Sequence, residues 1–349
     1  MRTQMASDKI LLRANHASKQ FAPTFSVGDQ IASWFGQKTD NRAVQAVDDL
    51  SLDLYQGEVL GLVGESGCGK STFGRMLAGI IPPTSGTVLL DGQPVMGTQK
   101  KPVKNTTRIQ MVFQDPFASL DPRIRIGETI GEGPLCHGLI QKDSLNSYVV
   151  HWLETVGLPA DAAQKFPHQF SGGQRQRVAI ARALAMQPDI LICDEPVASL
   201  DVSIQAQIIN LFLDLKKNLN LTMLFISHDL GVVRHISDRI AVMYLGRIVE
   251  MGPTAAVYQS PSHPYTRALL DSIPRLVTDS DELVHFKAID GELPSPLAPP
   301  PGCHFHLRCP HTAPICTTQK PELNSKSSST ERQAACFYPL DSHTKCNFS

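Results

Sequence analysis

The sequence predicts an α/β fold built on a largely parallel β-sheet, with a helical subdomain and a cysteine-containing C-terminal extension. Strand-like apolar runs alternate with helical patterns from about residue 46 to residue 260, which is typical of a parallel sheet. Within this region, residues 144–158 have helical spacing and no strand signal, and they predict the helical subdomain. After residue 290 the composition changes to proline, cysteine and small polar residues, which indicates a separate extension.

The composition is that of an ordinary globular protein, with 42% hydrophobic and 19% charged residues in a chain of 349. The formal net charge is −1, from 32 basic and 33 acidic residues, so we expect no nucleic-acid-binding surface. No apolar run approaches the roughly 20 residues needed to cross a bilayer, and residues 1–16 lack the pattern of a secretion signal. We therefore expect a cytosolic location, where the eight cysteines favour metal binding or burial over structural disulfides.

The strands are predicted one after another along the chain. Residues 9–21 alternate loosely and end in "SKQF", and residues 46–64 are typical of a strand, a glycine turn and a second strand. Further strands are predicted at the apolar runs "RIQMVF", "DILICD", "LTMLFIS" and "RIAVMYLG". Residues 22–43 indicate an insertion or a long hairpin loop, whose Trp34 and Phe35 we expect to pack locally rather than against a membrane.

Residues 64–72, "GESGCGKST", fit the pattern G-x-x-x-x-G-K-[ST] of a phosphate-binding loop. The three glycines of this loop allow backbone N–H groups to converge on phosphate oxygens. Lys70 supplies a positive charge for the β- and γ-phosphates, and the Ser71 hydroxyl can ligate Mg²⁺. The loop leaves a predicted strand and enters a predicted helix, whose N-terminus adds its dipole to the anion site.

Residues 189–196, "DILICDEP", form an apolar run that ends in two carboxylates. We expect Asp194 to lie near the phosphates, where it can hold Mg²⁺, and Glu195 to orient or deprotonate the attacking water. Upstream, in residues 168–188, Ser171 precedes a helical pattern and begins a second candidate anion site. One chain rarely needs two such sites for one nucleotide, whereas two chains that face each other can supply one each.

The motifs "GESGCGKST", "FSGGQ" and "DILICDEP", in this order, resemble those of the nucleotide-binding subunit of an ATP-binding cassette (ABC) transporter. The resemblance covers nearly the whole chain. It implies an ABC ATPase fold, in which a RecA-like parallel-sheet core of the P-loop NTPase type carries an antiparallel β subdomain and a helical subdomain. We predict this ATPase domain over residues 8–260, its helical subdomain at about 115–185, and an oligopeptide-importer-type extension over 261–349.

The resemblance also implies roles for single residues. Gln114 resembles the loop glutamine that reaches Mg²⁺ and the attacking water, and His228 resembles the switch histidine that contacts the γ-phosphate and supports Glu195. Asp201 resembles the acid of the loop that couples two facing sites. Phe21 stands where the family places an aromatic ring on adenine, the alternative being a core aromatic on an edge strand.

These implied roles give three sets of residues that contact ATP or its metal. The ATP-binding set is Phe21, Gly64, Glu65, Ser66, Gly67, Cys68, Gly69, Lys70, Ser71 and Thr72. The implied Mg²⁺ ligands are Ser71, Gln114 and Asp194. The contact to the ATP of a facing chain is implied for Ser171, Gly172, Gly173 and Gln174. Since all these motif residues are present, we expect an active ATPase rather than a scaffold that binds nucleotide without turnover.

Three more stretches, "VFQDPFASLDPR", "SPSHPYTRALLDSIPR" and "GELPSPLAPPPGC", resemble the second ATPase of bacterial dipeptide and oligopeptide importers. The resemblance implies a subunit at the cytoplasmic face of the inner membrane that hydrolyses ATP to energise peptide import. The implied partners are a sister ABC ATPase in a heterodimer, two membrane permeases and an extracytoplasmic solute-binding protein. ATPases of nickel, glycoside and glutathione importers share these motifs, so the cargo stays open. The single cassette, the neutral charge balance and the lack of a long heptad segment disfavour the cassette ATPases of DNA repair and translation.

The extension concentrates cysteines with the spacing C-x5-C-x6-C-x19-C, at Cys303, Cys309, Cys316 and Cys336. Zinc sites usually pair ligands that are separated by two to four residues, whereas iron–sulfur ligands are spaced more variably. Related peptide-importer ATPases carry similar cysteines, so the resemblance implies a structural [4Fe–4S] cluster on these four. A zinc site and an unliganded loop remain alternatives, and the rival ligands are His304, His306 and His311. Cys346 has no evident partner cysteine in the sequence and is interpreted as incidental.

Overall fold

The computed structural model describes residues 9–22, 43–97, 102–273, 289, 291–325 and 332–340. Of the predicted insertion at residues 22–43, only the two end residues are described. Cys346, interpreted as incidental, lies outside the described residues. The described strands are β1 (Ile10–Phe21), β2 (Val44–Tyr55), β3 (Val59–Val63), β4 (Ser85–Leu90), β5 (Gln93–Pro94), β6 (Ile109–Val112), β7 (Ile190–Asp194), β8 (Thr222–Ser227), β9 (Arg239–Tyr244), β10 (Arg247–Pro253), β11 (Asn324–Ser325) and β12 (Gln333–Ala334).

The strands form two sheets, and the larger one has the predicted parallel core. Its order is β11-β12-β10-β9-β3-β8-β7-β6, and the five strands from β9 to β6 pair in parallel. β3, β7 and β8 are buried at every position, which is typical of parallel strands covered on both faces. The smaller sheet is antiparallel, with the order β2-β1-β4-β5. The predicted strands and the antiparallel subdomain are therefore confirmed.

The described helices are α1 (Lys70–Leu77), α2 (Pro116–Ser119), α3 (Ile126–Cys136), α4 (Leu145–Thr155), α5 (Gly172–Leu184), α6 (Val202–Leu219), α7 (Leu230–Ile236), α8 (Thr254–Gln259), α9 (Pro264–Asp271) and α10 (Pro314–Thr318). Short 3₁₀ turns occur at Lys142–Ser144, Ala160–Gln164, Pro167–Gln169 and His306–Arg308. Helices α2 to α5 follow one another between β6 and β7 with no strand among them, and they form the predicted helical subdomain. None of the helices in the described ranges is long and apolar enough to span a membrane.

Alternate side chains of the central strands enter two separate hydrophobic cores, one on each face of the large sheet. On β3, Leu60 and Leu62 belong to the core shared with the antiparallel sheet and α1. Val59 and Val63 belong to the other core, which includes the helical subdomain and Phe305 of the extension. This division follows from the period of two along a strand. Helix α1 and the helical subdomain are thereby fixed on opposite faces of the same sheet.

The C-terminal extension continues the large sheet, which the sequence did not predict. β12 pairs with β10 through Glu250↔Ala334 and Met251↔Gln333, and β11 pairs with β12. Phe305, which lies between these strands and α9 in sequence, is buried in the main core. The extension therefore belongs to the same sheet and the same core as the strand that carries the phosphate-binding loop.

Candidate functional site

The phosphate-binding loop connects β3 to α1, as predicted, and two of its glycines are required by the space around them. A Cβ at Gly64 would lie 2.1 Å from the Met243 carbonyl oxygen, and a Cβ at Gly69 would lie 2.1 Å from the Ala46 carbonyl oxygen. Gly69 also has a φ of 107°, a conformation that L side chains rarely adopt. The loop is thus held against β2 and β9, with backbone approaches that only glycine permits.

Lys70 places its ammonium group inside the loop. The side chain is buried, and its Nζ donates to the carbonyl oxygens of Gly64 at 2.8 Å and Glu65 at 2.9 Å. These two hydrogen bonds hold the ammonium group against the backbone of the phosphate-binding loop. The lysine is therefore in position to meet an anion bound by the loop and by the N-terminus of α1.

Ser71 and Asp194 form a pair of hard oxygen ligands beside the loop. Ser71 Oγ donates to Asp194 Oδ1 at 2.7 Å, and Asp194 is the fully buried last residue of β7. Burial raises the pKa of Asp194, an effect that the hydrogen bond from Ser71 partly offsets. Hydroxyl and carboxylate oxygens are ligands that Mg²⁺ prefers, so these two side chains fit the predicted metal.

Glu195 is held by two side chains that come from the ends of other strands. Gln114 Nε2, beyond β6, donates to Glu195 Oε2 at 3.0 Å, and His228 Nδ1, beyond β8, lies 3.2 Å from the same oxygen. Glu195 itself has a φ of 47°, the left-handed conformation that is uncommon for residues other than glycine. Because parallel strands end at one edge of the sheet, three distant sequence positions converge on a single carboxylate.

The segment Ser171–Gln174 lies at the N-terminus of α5, as predicted. Ser171 Oγ accepts from the Gln174 N–H at 3.3 Å, and Gln174 Oε1 accepts from the Ser171 N–H at 3.0 Å, a reciprocal capping box. Ser171 is exposed, and within the described residues no hydrogen bond or ion pair joins the segment to the phosphate loop. The segment preceding Asp201 lies beside it, since a Cβ at Gly172 would contact Leu200 at 3.5 Å.

Phe21 lies at the end of β1, which has a neighbouring strand on each side. Its side chain is 41% exposed, and the Lys19 ammonium lies 5.3 Å from the centre of its ring. The alternative of a core aromatic on an edge strand is therefore wrong. The adenine contact stays a prediction.

All four predicted cysteines of the extension line one pocket, together with two of the three rival histidines. The lining includes Cys303, Cys309, Cys316 and Cys336, with His263, His306 and His311 around them. The cavity volume between these side chains is about 10 Å³, and the space around it reaches about 340 Å³ only when open solvent is counted. Burial raises the pKa of Cys303, of Cys309 and of Cys336, the last to about 11.

The third rival histidine, His304, points elsewhere. Its Nδ1 lies 2.9 Å from the Leu245 carbonyl oxygen and its Nε2 lies 3.6 Å from Asp48. In the part of the chain that the structure describes, no group of three or more His, Cys, Asp or Glu side chains is arranged to hold a single metal ion.

The structure adds two residues that the sequence did not indicate. Arg308, in the cysteine-rich stretch, forms an ion pair with Glu65 of the phosphate loop at 2.7 Å. Tyr265 Oη accepts from the Glu65 backbone N–H at 2.9 Å. The positions are 243 and 200 residues apart, and no local pattern reports contacts over such separations.

Comparisons with known proteins agree with this geometry. The ABC transporter family profile matches residues 47–198, and the profile "Oligopeptide/dipeptide transporter, C-terminal region" matches residues 249–316. The oligopeptide transport ATP-binding protein AppF of Bacillus subtilis is 51% identical over 82% of this chain and 88% of its own. The di/tripeptide transport ATP-binding protein DppF of Pseudomonas aeruginosa is 47% identical over 84% and 90%, and OppF of Escherichia coli is 47% identical over 83% and 87%.

Solved structures agree as well. The cbiO1 protein of Clostridium perfringens, part of an ABC transporter complex, superposes with a TM-score of 0.58 at 27% identity over 72% of this chain and 91% of its own. An ATP-binding cassette dimer solved in a post-hydrolysis state with ADP and phosphate has the same TM-score at 25% identity, over 70% and 99%. The chain is therefore an ATP-hydrolysing subunit that belongs to the ABC transporter ATPases with an oligopeptide/dipeptide transporter C-terminal region.

Proposed function

We propose that this protein hydrolyses ATP to energise the import of di- or oligopeptides across the bacterial inner membrane. The observation that carries the proposal is the convergence of Gln114 and His228 on Glu195, next to the Ser71–Asp194 pair. A catalytic base, a metal site and an anion-binding loop then stand at one edge of the sheet. The peptide cargo is supported by the relatives AppF, DppF and OppF, which are named as peptide transport proteins.

In this proposal the chain's own residues divide the chemistry of ATP hydrolysis. Residues 64–72 bind the phosphates through backbone N–H groups and Lys70, and Phe21 contacts adenine. Ser71, Asp194 and Gln114 would hold Mg²⁺, which would supply Lewis-acid polarisation of the phosphates. Glu195 orients the attacking water and accepts its proton. The water oxygen then attacks the γ-phosphorus, and the bond from the γ-phosphorus to the leaving ADP breaks.

The two partners of Glu195 determine where that proton acceptor points. The amide of Gln114 and the ring of His228 both contact Oε2, so Oε1 is the oxygen that these contacts leave for water. We infer that His228 also contacts the γ-phosphate. Loss of either partner is expected to misplace the carboxylate rather than to remove it.

We further propose that a second ATPase subunit completes the ATP-binding site. Ser171 and Gln174 are exposed at a helix N-terminus that has no described bond to the chain's own phosphate loop, so the segment suits the ATP of a facing chain. Asp201 then couples the two facing sites. The facing chain is a sister ATPase, and the pair lies at the cytoplasmic face of the membrane on two permeases that receive cargo from an extracytoplasmic solute-binding protein. The pair has no role in nucleic-acid binding.

We propose a division of the chain into an ATPase domain at residues 8–260, with its helical subdomain at about 115–185, and an extension at 261–349. The strand-free stretch between β6 and β7 supports the subdomain. The profile match over residues 249–316 supports a distinct extension.

We propose that the extension binds a [4Fe–4S] cluster through Cys303, Cys309, Cys316 and Cys336. All four thiols line one pocket, which supports a shared ligand. A cluster is larger than a single ion, so its cysteines need not converge as closely as the ligands of one metal do. Iron and sulfide content of protein purified without oxygen tests this. An iron content of about four atoms per chain, with a lower content in Cys309→Ser, would support the cluster. Iron-free protein that still hydrolyses ATP would contradict it.

Replacement of Glu195 by Gln tests the transport function in the intact transporter. We expect phosphate release to fall by roughly 10²–10⁴-fold, because the amide cannot accept a proton, while ATP remains bound. Uptake of a labelled dipeptide should stop together with turnover. The matched control is Glu154→Gln on the exposed face of α4, which should leave both rates unchanged.

The cargo is tested with the same intact transporter, placed in membrane vesicles for the uptake measurement. Suppose that the complex transports nickel or glutathione and no peptide, and that this transport stops in Glu195→Gln. That result would contradict the peptide assignment and leave the ATPase assignment standing. Continued turnover in Glu195→Gln would contradict the catalytic role itself.

A further inference from the structure

The C-terminal extension contacts the phosphate loop through a bidentate ion pair. Arg308 Nη1 donates to Glu65 Oε2 at 2.7 Å, and Nη2 donates to Glu65 Oε1 at 3.0 Å. The Arg308 side chain is 5% exposed and the Glu65 side chain is 24% exposed, so solvent screens this pair less than it would screen a fully exposed one. Two parallel bonds between a guanidinium and a carboxylate fix orientation as well as distance.

Aromatic residues hold the guanidinium in place. Tyr244 Oη accepts from Arg308 Nη1 at 3.5 Å, and the guanidinium carbon lies 5.9 Å from the centre of the Tyr244 ring. The rings of Tyr244, Tyr265 and Phe305 pack against one another with centroid separations of 4.6 to 5.3 Å. These three residues are fully buried, so the support beneath the ion pair is part of the core.

Glu65 is anchored at two points by this arrangement. Its carboxylate is held by Arg308, and its backbone N–H donates to Tyr265 Oη. Its carbonyl oxygen accepts from Lys70, the cation that faces the phosphates. The first turn of the loop is therefore fixed by groups that follow the ATPase strands in sequence.

The charge on Glu65 has a consequence for nucleotide binding. A carboxylate in a loop that binds a triphosphate repels the ligand unless a cation neutralises it. Within the described residues, Arg308 is the cation that forms an ion pair with Glu65. Loss of Arg308 would leave this carboxylate without that ion pair in the loop that meets the phosphates.

We propose that Arg308 is a positioning residue for ATP binding, which neutralises Glu65 and fixes the entry of the phosphate loop. The inference rests on the proposed ATP site and adds a residue from the extension to it. Arg308 is also the last residue of the 3₁₀ turn that leads into Cys309, so one short turn separates the phosphate loop from the cysteine pocket.

Steady-state ATP hydrolysis by the complete transporter, with Arg308→Ala, Glu65→Gln and the double variant, tests the inference. We expect Arg308→Ala to raise KM for ATP about tenfold with kcat within about twofold, the pattern of lost binding rather than lost chemistry. Glu65→Gln provides the reference KM of a loop that lacks this charge. The double variant should have a KM within about threefold of that reference, because the repelling charge is gone.

The matched control is Lys320→Ala, which removes another ion pair between the extension and the ATPase core, to Asp48 at 2.9 Å, without touching the loop. Its KM should not change. Should Arg308→Ala not fold, Arg308→Gln is measured in the same scheme with Glu65→Gln. An unchanged KM in the Arg308 variant, or a double variant as weak as the single one, would overturn the inference. A parent protein that hydrolyses no ATP would instead overturn the proposed site.

Discussion

Asp194 shows how a single buried carboxylate can cost stability where it serves chemistry. It is almost completely buried at the end of β7, and its described hydrogen-bond partner is the Ser71 hydroxyl. Burial raises its pKa because the charged form loses hydration, so the ionised side chain destabilises the folded protein at neutral pH. The proposed Mg²⁺ site relies on the same charge.

Replacement of Asp194 by Asn should therefore stabilise the nucleotide-free protein while it abolishes Mg²⁺-dependent turnover. The amide oxygen can still accept from Ser71, and the charge is gone, so we expect about 1–2 kcal/mol of added stability, measured by urea unfolding at neutral pH. The gain should shrink as the pH falls through the raised pKa, because the wild-type carboxyl then becomes neutral as well.

The control for this prediction is Asp143→Asn, at an exposed position of the helical subdomain. It should change neither stability nor turnover. An Asp194→Asn protein that is less stable than wild type at neutral pH would show that the ionised carboxylate contributes net stability in the folded state.

At the scale of helices and strands, one buried side chain ties strand β10 to the start of helix α9. Glu250 is fully buried, and its two carboxylate oxygens accept from the backbone N–H groups of Ser262 at 2.7 Å and His263 at 2.9 Å. His263 is the N-cap of α9. The carboxylate thus satisfies two buried donors of a segment that leads from the sheet into the extension.

Substitutions of Glu250 should separate the cost of one lost acceptor from the cost of two. Glu250→Gln keeps one oxygen acceptor, so we expect about 1 kcal/mol of destabilisation, and Glu250→Ala orphans both donors and should cost about 3 kcal/mol or more. The measurement is the free energy of unfolding in urea. Glu154→Ala, on an exposed helical surface, should stay within about 0.5 kcal/mol of wild type. Equal costs for the Gln and Ala variants would contradict the two-acceptor account.

The elements that the sequence predicted best are those with a strong local pattern. β3, β7 and β8 are continuous apolar runs between polar turns, and the capping residues Ser171 and Gln174 mark the start of α5. β11 and β12 have two residues each, which is too short for any period to appear, so the continuation of the sheet into the extension was missed.

The candidate site was predictable to the same degree. The loop, Asp194, Glu195 and Ser171 lie in short motifs with a local chemical meaning. Arg308 meets Glu65 only because the extension folds back on the sheet, and spacing along the chain contains no information on such a contact. Likewise, the cysteine spacing suggested ligands, but only the fold brings all four thiols to one pocket.

At the scale of the whole molecule, the groups proposed to bind ATP lie on two surfaces of one chain. The phosphate loop, the Ser71–Asp194 pair proposed to bind Mg²⁺, and Glu195 lie at the carboxyl edge of the parallel sheet. Ser171 lies at an exposed helix N-terminus of the helical subdomain, with no described bond to that edge. If each ATP uses both surfaces, it must bridge two subunits, and closure of the pair becomes a consequence of ATP binding.

A bulky cation at Ser171 should therefore block closure without emptying the chain's own loop. In transporter complexes that carry Glu195→Gln, so that bound ATP is not consumed, Ser171→Arg should lower the ATP trapped at the facing site at least about tenfold. Before dilution, ATP should still bind to the phosphate loop of the same chain, because Lys70 and the loop are untouched. The measurement is labelled ATP retained per complex after rapid dilution. Ser147→Arg, at another exposed serine of the helical subdomain, is the matched control and should trap as much ATP as the parent. Full trapping with Ser171→Arg would mean that ATP is held within one chain, and the proposed pairing of subunits would fail.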